Sequence, residues 1–198
     1  MHHIEIRRPK TEDSAELHEL FNEVITDTFH KEGLSDMVND IQIEIESKEQ
    51  YLKSDLDSGG KHRFFWLGID KCTNKIIGCI EYGPASELIT ACTKGELQGW
   101  IEIGTVFVHP KYQRKGVGTL LLHTMLLTLQ SKEIKKICLD SGYKNAQEVW
   151  KNIFGIPDYL IKDYWSKGYH HMVWKISAES TPIVFKLSYN ENKVSPRK

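Results

Sequence analysis

A basic turn with two glycines, in the second half of the chain, has the residue types that bind an anion. It spans Gln113 to Thr119 and leads into an almost continuously apolar run, Val117 to Leu129, which predicts a buried helix. The unpaired N–H groups and positive dipole end of such a helix attract anions. Gly116 and Gly118 let the backbone approach closely, and two basic side chains before them add positive charge. The turn is therefore predicted to bind a pyrophosphate.

Two other phosphate motifs do not fit this segment. The turn lacks the Gly-Lys-Ser/Thr ending of a P-loop. Gly116-Val117-Gly118 also lacks the third glycine and the acidic partner of a dinucleotide fold. A nucleotide-binding protein is therefore disfavoured.

The turn and the strand before it resemble a known family motif. Gln113-Arg114-Lys115-Gly116-Val117-Gly118 matches Gln/Arg-x-x-Gly-x-Gly/Ala of the GNAT superfamily of N-acetyltransferases, and a strand ending in Val-His-Pro precedes it. The order of elements resembles that family from Ile4 to Ile176. The resemblance implies an α/β (α+β) fold with a mixed central sheet of about seven strands and about four helices. It also implies a splay between the fourth and fifth strands, and Gly104 is a predicted position for the associated bulge.

The resemblance also implies acetyl-CoA as co-substrate, without a metal. Its pyrophosphate would lie on Gln113, Arg114, Lys115, Gly116, Val117, Gly118 and Thr119. Its pantetheine arm would pair with the backbone of Val106, Phe107 and Val108, and the N–H of Val106 would stabilise the oxyanion. Asn145 is predicted either to contact the pantetheine or to cap the following helix.

Two glutamates are candidates for the catalytic base. Strand alternation places Glu102 opposite Ile101 and Ile103, and histone-type members of the family carry a glutamate at the matching place. A carboxylate with an ordinary pKa of about 4.3 is a poor base for an ammonium unless burial raises it or water relays the proton. Glu81, near the end of the previous strand, is the competing candidate.

The general acid is less well defined. Many relatives carry a tyrosine in the helix after the asparagine, but the residues from Ala146 to Asn152 include none. The acid is therefore Tyr143, a residue of the last hairpin, or solvent. Aromatic residues and histidines are frequent in that hairpin, where they form either an aromatic core or a wall of the substrate site.

The remaining pattern predicts one domain, residues 1–178, and an extension, residues 179–198. Helical spacing covers Leu17 to Thr28, Val38 to Leu56 and Ala146 to Ile153, and Gly83 to Gly99 is a long polar connection. The predicted strands are Ile4 to Arg7, Phe64 to Ile69, Lys75 to Tyr82, Trp100 to Val108, Ile137 to Leu139, Tyr159 to Trp165 and Tyr169 to Ile176. The extension contains one predicted strand, Ile183 to Leu187, which could pair across a homodimer, and a polar tail.

Composition narrows the class of protein further. The formal net charge of -1 gives no electrostatic case for nucleic acid, and no apolar run is long enough for a membrane span. The N-terminus lacks a signal-peptide pattern, so a cytoplasmic location is expected. Four scattered cysteines suggest neither a zinc site nor a redox pair.

Two functions are compatible with these residues. The first is an N-acetyltransferase that moves the acetyl group of acetyl-CoA by direct attack onto a primary amine of a small molecule or a protein. The second is a catalytically silent module that binds or senses acyl-CoA. The missing helix tyrosine favours the second function, whereas Glu102 favours the first.

Overall fold

One mixed β-sheet forms the centre of the molecule in the computed structural model, which describes residues 3–185. Within that range the strands are β1 Ile4–Arg7, β2 Phe64–Asp70, β3 Lys75–Pro84, β4 Ile101–Val108, β5 Lys136–Ser141, β6 Tyr159–Ser166 and β7 Tyr169–Ser177. Their order across the sheet is β1-β2-β3-β4-β5-β7-β6. β4 and β5 run parallel, and the other described neighbours are antiparallel. The predicted seven-stranded mixed sheet is confirmed.

Helices cover both faces of this sheet. They are α1 Ser14–Lys31, α2 Val38–Ser58, α3 Glu87–Cys92, α4 Val117–Ser131 and α5 Lys144–Phe154. The described chain thus has five α-helices where about four were predicted. The additional one, α3, lies in the segment predicted as a polar connection. Its N-cap is Ser86, whose hydroxyl accepts the N–H of Ile89 at 3.3 Å, and Ile89 is fully buried.

Alternation along the strands divides the core between the two faces. On β2, Phe65 and Leu67 pack with α1 and α2, whereas Phe64 and Trp66 point to the opposite face. That opposite face carries α4, whose buried side chains are Val117, Leu121, Leu122, Met125, Leu126 and Leu129. Apolar residues on most sides of α4 explain why it is buried so deeply, as its sequence predicted.

The end of the chain departs from its prediction. Residues 183–185 of the predicted strand Ile183 to Leu187 form no strand, and residues 186 and 187 lie outside the described range, as does the polar tail. The division into residues 1–178 and 179–198 stays a prediction. No helix in residues 3–185 is long and apolar enough to cross a membrane.

Candidate active site

The sheet opens between β4 and β5. The two strands pair only at Ile101 with Ile137 and at Glu102 with Cys138. Beyond Glu102, β4 continues to pair with β3 while its other edge meets no strand within residues 3–185. The predicted splay is therefore present, and Glu102 lies at the point where the cleft begins.

A bulge in β4 accompanies this opening. Glu81 of β3 pairs with Gly104, but Cys79 pairs with Phe107, so β4 carries the additional residue after Gly104. Thr105 adopts the left-handed conformation there, with φ 47°. The prediction that Gly104 itself forms the bulge is therefore wrong. Gly104 is required for a different reason, since a Cβ there would lie 2.5 Å from Oε1 of Glu81.

The start of α4 is open, as the motif predicted. Gly116 precedes the helix with φ 86° and offers no side-chain cap. The first backbone hydrogen bond of the helix is donated by the Leu120 N–H to the carbonyl of Gly116, at 3.0 Å. The N–H groups of Val117, Gly118 and Thr119 therefore have no acceptor within the helix. Added bulk at Gly116 would meet nothing within 4 Å, so its backbone conformation, and not space, demands glycine.

Protein contacts fix the residues just before this turn. Gln113 donates from Nε2 to the carbonyl of Val108 at 3.1 Å and accepts a hydrogen bond from Nζ of Lys31 at 3.2 Å. Nε2 of His109 lies 2.8 Å from a carboxylate oxygen of Glu23. These contacts join the end of β4 to α1. Gln113 thus braces the turn, and its contact with a cofactor stays a prediction.

The remaining predicted cofactor residues lie around the same opening. Phe107 and Val108 pair with β3, and Val106 lies in the bulge. Asn145 lies in the first turn of α5, where its backbone N–H donates to Oε1 of Glu32 at 3.0 Å. The capping alternative for Asn145 is wrong, because the N-cap position belongs to Tyr143.

Glu102 has the environment of a base that works near neutral pH. The residue is 8% exposed, and its Oε2 accepts the backbone N–H of Ser86 at 2.7 Å. Burial, followed by the nearby charges of Asp140 and Glu81, raises the pKa of Glu102 to about 7. Both protonation states of this carboxyl group are therefore accessible near neutral pH.

Glu81 has a different environment. Its side chain is fully buried, and Oε2 accepts a hydrogen bond from Nη1 of Arg63 at 2.8 Å. Oε1 accepts the hydroxyl of Thr105 at 3.3 Å. Burial raises the pKa of Glu81, against the opposing charges of Arg63 and Lys48. With both oxygens bound to protein groups, Glu81 is better suited to holding β3, β4 and Arg63 together than to accepting a substrate proton.

Tyr143, the candidate acid, is half-buried before α5. Its ring packs edge-to-face on Phe29, with 5.7 Å between centroids. Burial and the carboxylates of Glu44 and Glu32 raise the pKa of Tyr143 well above its ordinary value. The hydroxyl therefore stays protonated over the range in which Glu102 ionises, as a proton donor must.

The sequence did not reveal a histidine–aspartate pair near Glu102, in which the histidine is buried and the aspartate side chain is 20% exposed. Nε2 of His171, on β7, lies 3.0 Å from Oδ2 of Asp140 on β5, and His171 is 2% exposed. Cys138 is the register partner of Glu102 on β5. Asp140 lies two residues after Cys138, so its side chain is on the same face of the sheet as those of Cys138 and Glu102. Only the pairing of β4 with β5 brings Asp140 close to Glu102, and the sequence alone does not give that pairing.

The aromatic residues of the β6–β7 hairpin divide between the core and the surface, and a role as a wall of the substrate site stays a prediction. Trp174 is buried in the core, where its indole N–H donates to the carbonyl of Gly155 at 3.0 Å. Tyr164 and Trp165 are 43% and 55% exposed, and both pack on the ring of His171. Among the residues from 3 to 185, no group of three or more histidines, cysteines or acids could hold a metal ion.

A family model identifies the class of protein to which this fold and site belong. The model described as the Acetyltransferase (GNAT) family matches residues 17–156, and the chain therefore belongs to that family. No curated protein sequence matches the chain significantly.

Solved structures share the fold at low sequence identity. A GNAT-family acetyltransferase from Desulfovibrio desulfuricans superimposes with a TM-score of 0.67 at 12% identity, covering 89% of this chain and 99% of that one. PaiA N-acetyltransferase from Thermoplasma acidophilum, solved with coenzyme A, gives 0.62 at 18% identity, with 88% and 99% covered. Ribosomal-protein-alanine N-acetyltransferase from Brucella melitensis gives 0.63 at 15% identity, with 87% and 99% covered. These likenesses support the fold.

Proposed function

We propose that this protein is an N-acetyltransferase that moves the acetyl group of acetyl-CoA directly onto a primary amine of a small molecule or a protein. The observation that carries the proposal is the divergence of β4 from β5 immediately after Glu102. This divergence puts a carboxyl group with a pKa of about 7 at the start of a cleft. The cleft runs along β4, whose far end leads into the anion-binding turn before α4.

The open start of α4 would hold the pyrophosphate of acetyl-CoA. The N–H groups of Val117, Gly118 and Thr119 have no acceptor within the helix, and the helix dipole favours an anion there. The exposed side chains of Arg114 and Lys115 would add charge-assisted hydrogen bonds. These groups fit a diphosphate because they supply donors and positive charge together.

The open edge of β4 would hold the pantetheine arm. Beyond Glu102, its backbone faces no neighbouring strand within the described range, so amide groups of the arm can pair with Val106, Phe107 and Val108 as a strand would. Asn145, at the start of α5, is the proposed side-chain contact from across the cleft. The bulge at Thr105 turns the strand here and supports the proposed role of the Val106 N–H as oxyanion donor.

The reaction needs one base and one acid. An acceptor ammonium first loses a proton, and the amine nitrogen then attacks the thioester carbonyl carbon. The C–N bond forms, the C–S bond breaks, and the nitrogen loses a second proton while the thiolate gains one. We assign the removal of both protons from nitrogen to Glu102, which releases the first to solvent before it accepts the second. Tyr143 protonates sulfur and regains its proton from solvent, so one proton is released for each acetyl group transferred. The products are an N-acetyl amine and free CoA.

Names of structurally similar proteins are consistent with an amine acceptor. One of them was solved with coenzyme A, and another is named for alanine of a ribosomal protein. Both share the fold with this chain at under 20% identity. We therefore infer the class of acceptor from the residues of this chain and not from these names.

Binding and thiol release together test the proposal. Calorimetry with acetyl-CoA should show binding, and a panel of primary amines should release CoA thiol from the wild-type protein. The Glu102→Gln variant should bind the cofactor but release little thiol. The control Glu179→Gln changes an exposed glutamate after β7 and should behave as wild type. Binding without release for every amine would instead establish the silent acyl-CoA-binding module.

A further inference from the structure

A second carboxylate lies next to the proposed base on the same face of the sheet. Glu102 pairs with Cys138 across the last paired position of β4 and β5, and Asp140 follows two residues later. Residues two apart on a strand share a face and are separated by about 7 Å along it. The charge of Asp140 is felt at Glu102, because it is among the groups that raise the pKa of Glu102. Two acids thus meet where the cleft begins.

The imidazole of His171, which contacts Asp140, lacks well-aligned hydrogen bonds. His171 is 2% exposed, and neither of its ring nitrogens makes a well-aligned hydrogen bond within the described residues. Its Nε2 nevertheless lies 3.0 Å from Oδ2 of Asp140. A buried polar group without a bond is costly and uncommon. The side chain of Asp140 is 20% exposed, so an ammonium group can donate to its carboxylate from the solvent side while His171 contacts it from the buried side.

Aromatic rings adjoin the same pair and remain partly open to solvent. The centroids of Tyr164 and Trp165 lie 5.5 Å and 5.8 Å from that of His171. Trp165 also covers Gly142, just beyond β5, since a Cβ on that glycine would lie 2.5 Å from the indole Nε1. Exposed aromatic faces attract cations, and a neighbouring carboxylate strengthens that preference.

We propose that Asp140, backed by His171 and flanked by Tyr164 and Trp165, binds a second positive charge of the acceptor, which is therefore a short diamine. One amino group reacts beside Glu102 while the other stays an ammonium on Asp140. The inference rests on the proposed function, because it concerns the acceptor of that reaction. Asp140 and Trp165 are specificity-determining residues in this account, and His171 positions Asp140.

Two amines of equal chain length test this assignment. Thiol release is measured with diaminobutane and with n-butylamine at about pH 9, where the Glu102 carboxyl is ionised with or without its acidic neighbour. The wild-type protein should prefer the diamine at least tenfold in kcat/KM, with both amines expressed as the concentration of molecules that carry a neutral amino group, because the diamine loses its first proton at a lower pH than butylamine does. Asp140→Asn should remove this preference by raising KM for the diamine, with kcat and the butylamine reaction changed less than twofold.

Further variants distinguish a loss of diamine binding from a loss of folding. Trp165→Leu alters an exposed side chain and should also raise KM for the diamine more than for butylamine. Asp140→Glu should restore part of the diamine preference. Asp57→Asn, an exposed charge at the end of α2, is the matched control and should leave both reactions unchanged. Thermal unfolding measured on each variant shows whether it is folded.

The outcomes separate this inference from the proposed function. Equal kcat/KM for the two amines in the wild type, or an unchanged diamine preference in Asp140→Asn and Trp165→Leu, would overturn the diamine assignment while acetyl transfer stands. No thiol release with any primary amine would overturn the proposed function itself, and the diamine assignment with it.

Discussion

The carboxylate of Glu102 accepts a hydrogen bond from the backbone N–H of Ser86 at 2.7 Å. Ser86 is also the N-cap of α3, so this short helix and the proposed base are held by the same residue. The bond leaves Oε1 of Glu102 directed near Gly104, where an added Cβ would lie 3.5 Å from it. Glu102 is therefore fixed in orientation at the cleft and still able to accept a proton.

Replacement of this base should change the pH dependence of turnover. Glu102 accepts a proton only when it is ionised, so with its pKa raised to about 7, activity should be lost as the pH falls below about 7. In Glu102→Gln, kcat should fall about 100-fold, and the break in the kcat/KM profile near pH 7 should disappear. Titration of the acceptor amine still contributes a rise towards high pH in both proteins. A variant that retains the break would show that another group is the base.

The glycine before α4 should matter for cofactor binding beyond its effect on stability. Gly116 and Gly95 have nearly the same backbone conformation, with φ 86° and 84°, and an added Cβ would have no atom within 4 Å at either position. Gly95→Ala is therefore a matched control for Gly116→Ala. Each substitution should cost about 1 kcal/mol of folding free energy. Only Gly116→Ala should raise the calorimetric Kd for CoA, by about tenfold or more. Equal affinities in the two variants would remove the turn from the cofactor site.

The ion pair of Glu81 with Arg63 should stabilise the fold. Their side chains are 0% and 11% exposed, so removal of the cation leaves a buried charge without its partner. Arg63→Met should lower the free energy of unfolding by about 3 to 5 kcal/mol. The double variant Arg63→Met/Glu81→Gln should recover most of that loss, as measured by urea denaturation. If the double variant is no more stable than Arg63→Met, the buried charge is not the cause.

Loss of the hydroxyl of Tyr143 should affect chemistry and not folding. Tyr143→Phe keeps the edge-to-face packing on Phe29. As the proton donor to sulfur, the hydroxyl should contribute about 100-fold to kcat, with the Kd for CoA unchanged within twofold. Stopped-flow thiol release at saturating acetyl-CoA measures this directly. Wild-type kcat in Tyr143→Phe would assign protonation of sulfur to solvent or another group.

Local signals in the sequence predicted most of the elements and the open start of α4. Alternation located the strands, and the two glycines at the beginning of an apolar run located the start of α4, because both patterns depend on neighbouring residues. The bulge position was not predictable, because it depends on how Cys79 and Glu81 of β3 pair with β4. The sequence predicted Gly104 as the bulge position, but glycine is needed there because the carboxylate of Glu81, on another strand, lies where a Cβ would be.

Contacts between distant segments account for what the sequence left out of the site. Asp140 and His171 meet because β5 pairs with β7, and Glu32 reaches Asn145 because the end of α1 lies against the start of α5. Helix α3 was missed because it is short and lies in a polar segment, although the serine before it is a typical N-cap. Contacts such as that of Asp140 with His171 join residues far apart in the sequence, and no local periodic pattern marks them.

Acetyl transfer to nitrogen is tested most directly by its stoichiometry. Wild-type protein is incubated with acetyl-CoA and, in separate samples, with each primary amine of the panel. Free CoA thiol and N-acetylated amine are quantified in the same samples, by a thiol reagent and by mass spectrometry. The account predicts equal amounts of both products at every time point. Thiol release without acetylated amine, or no formation of either product, would contradict it.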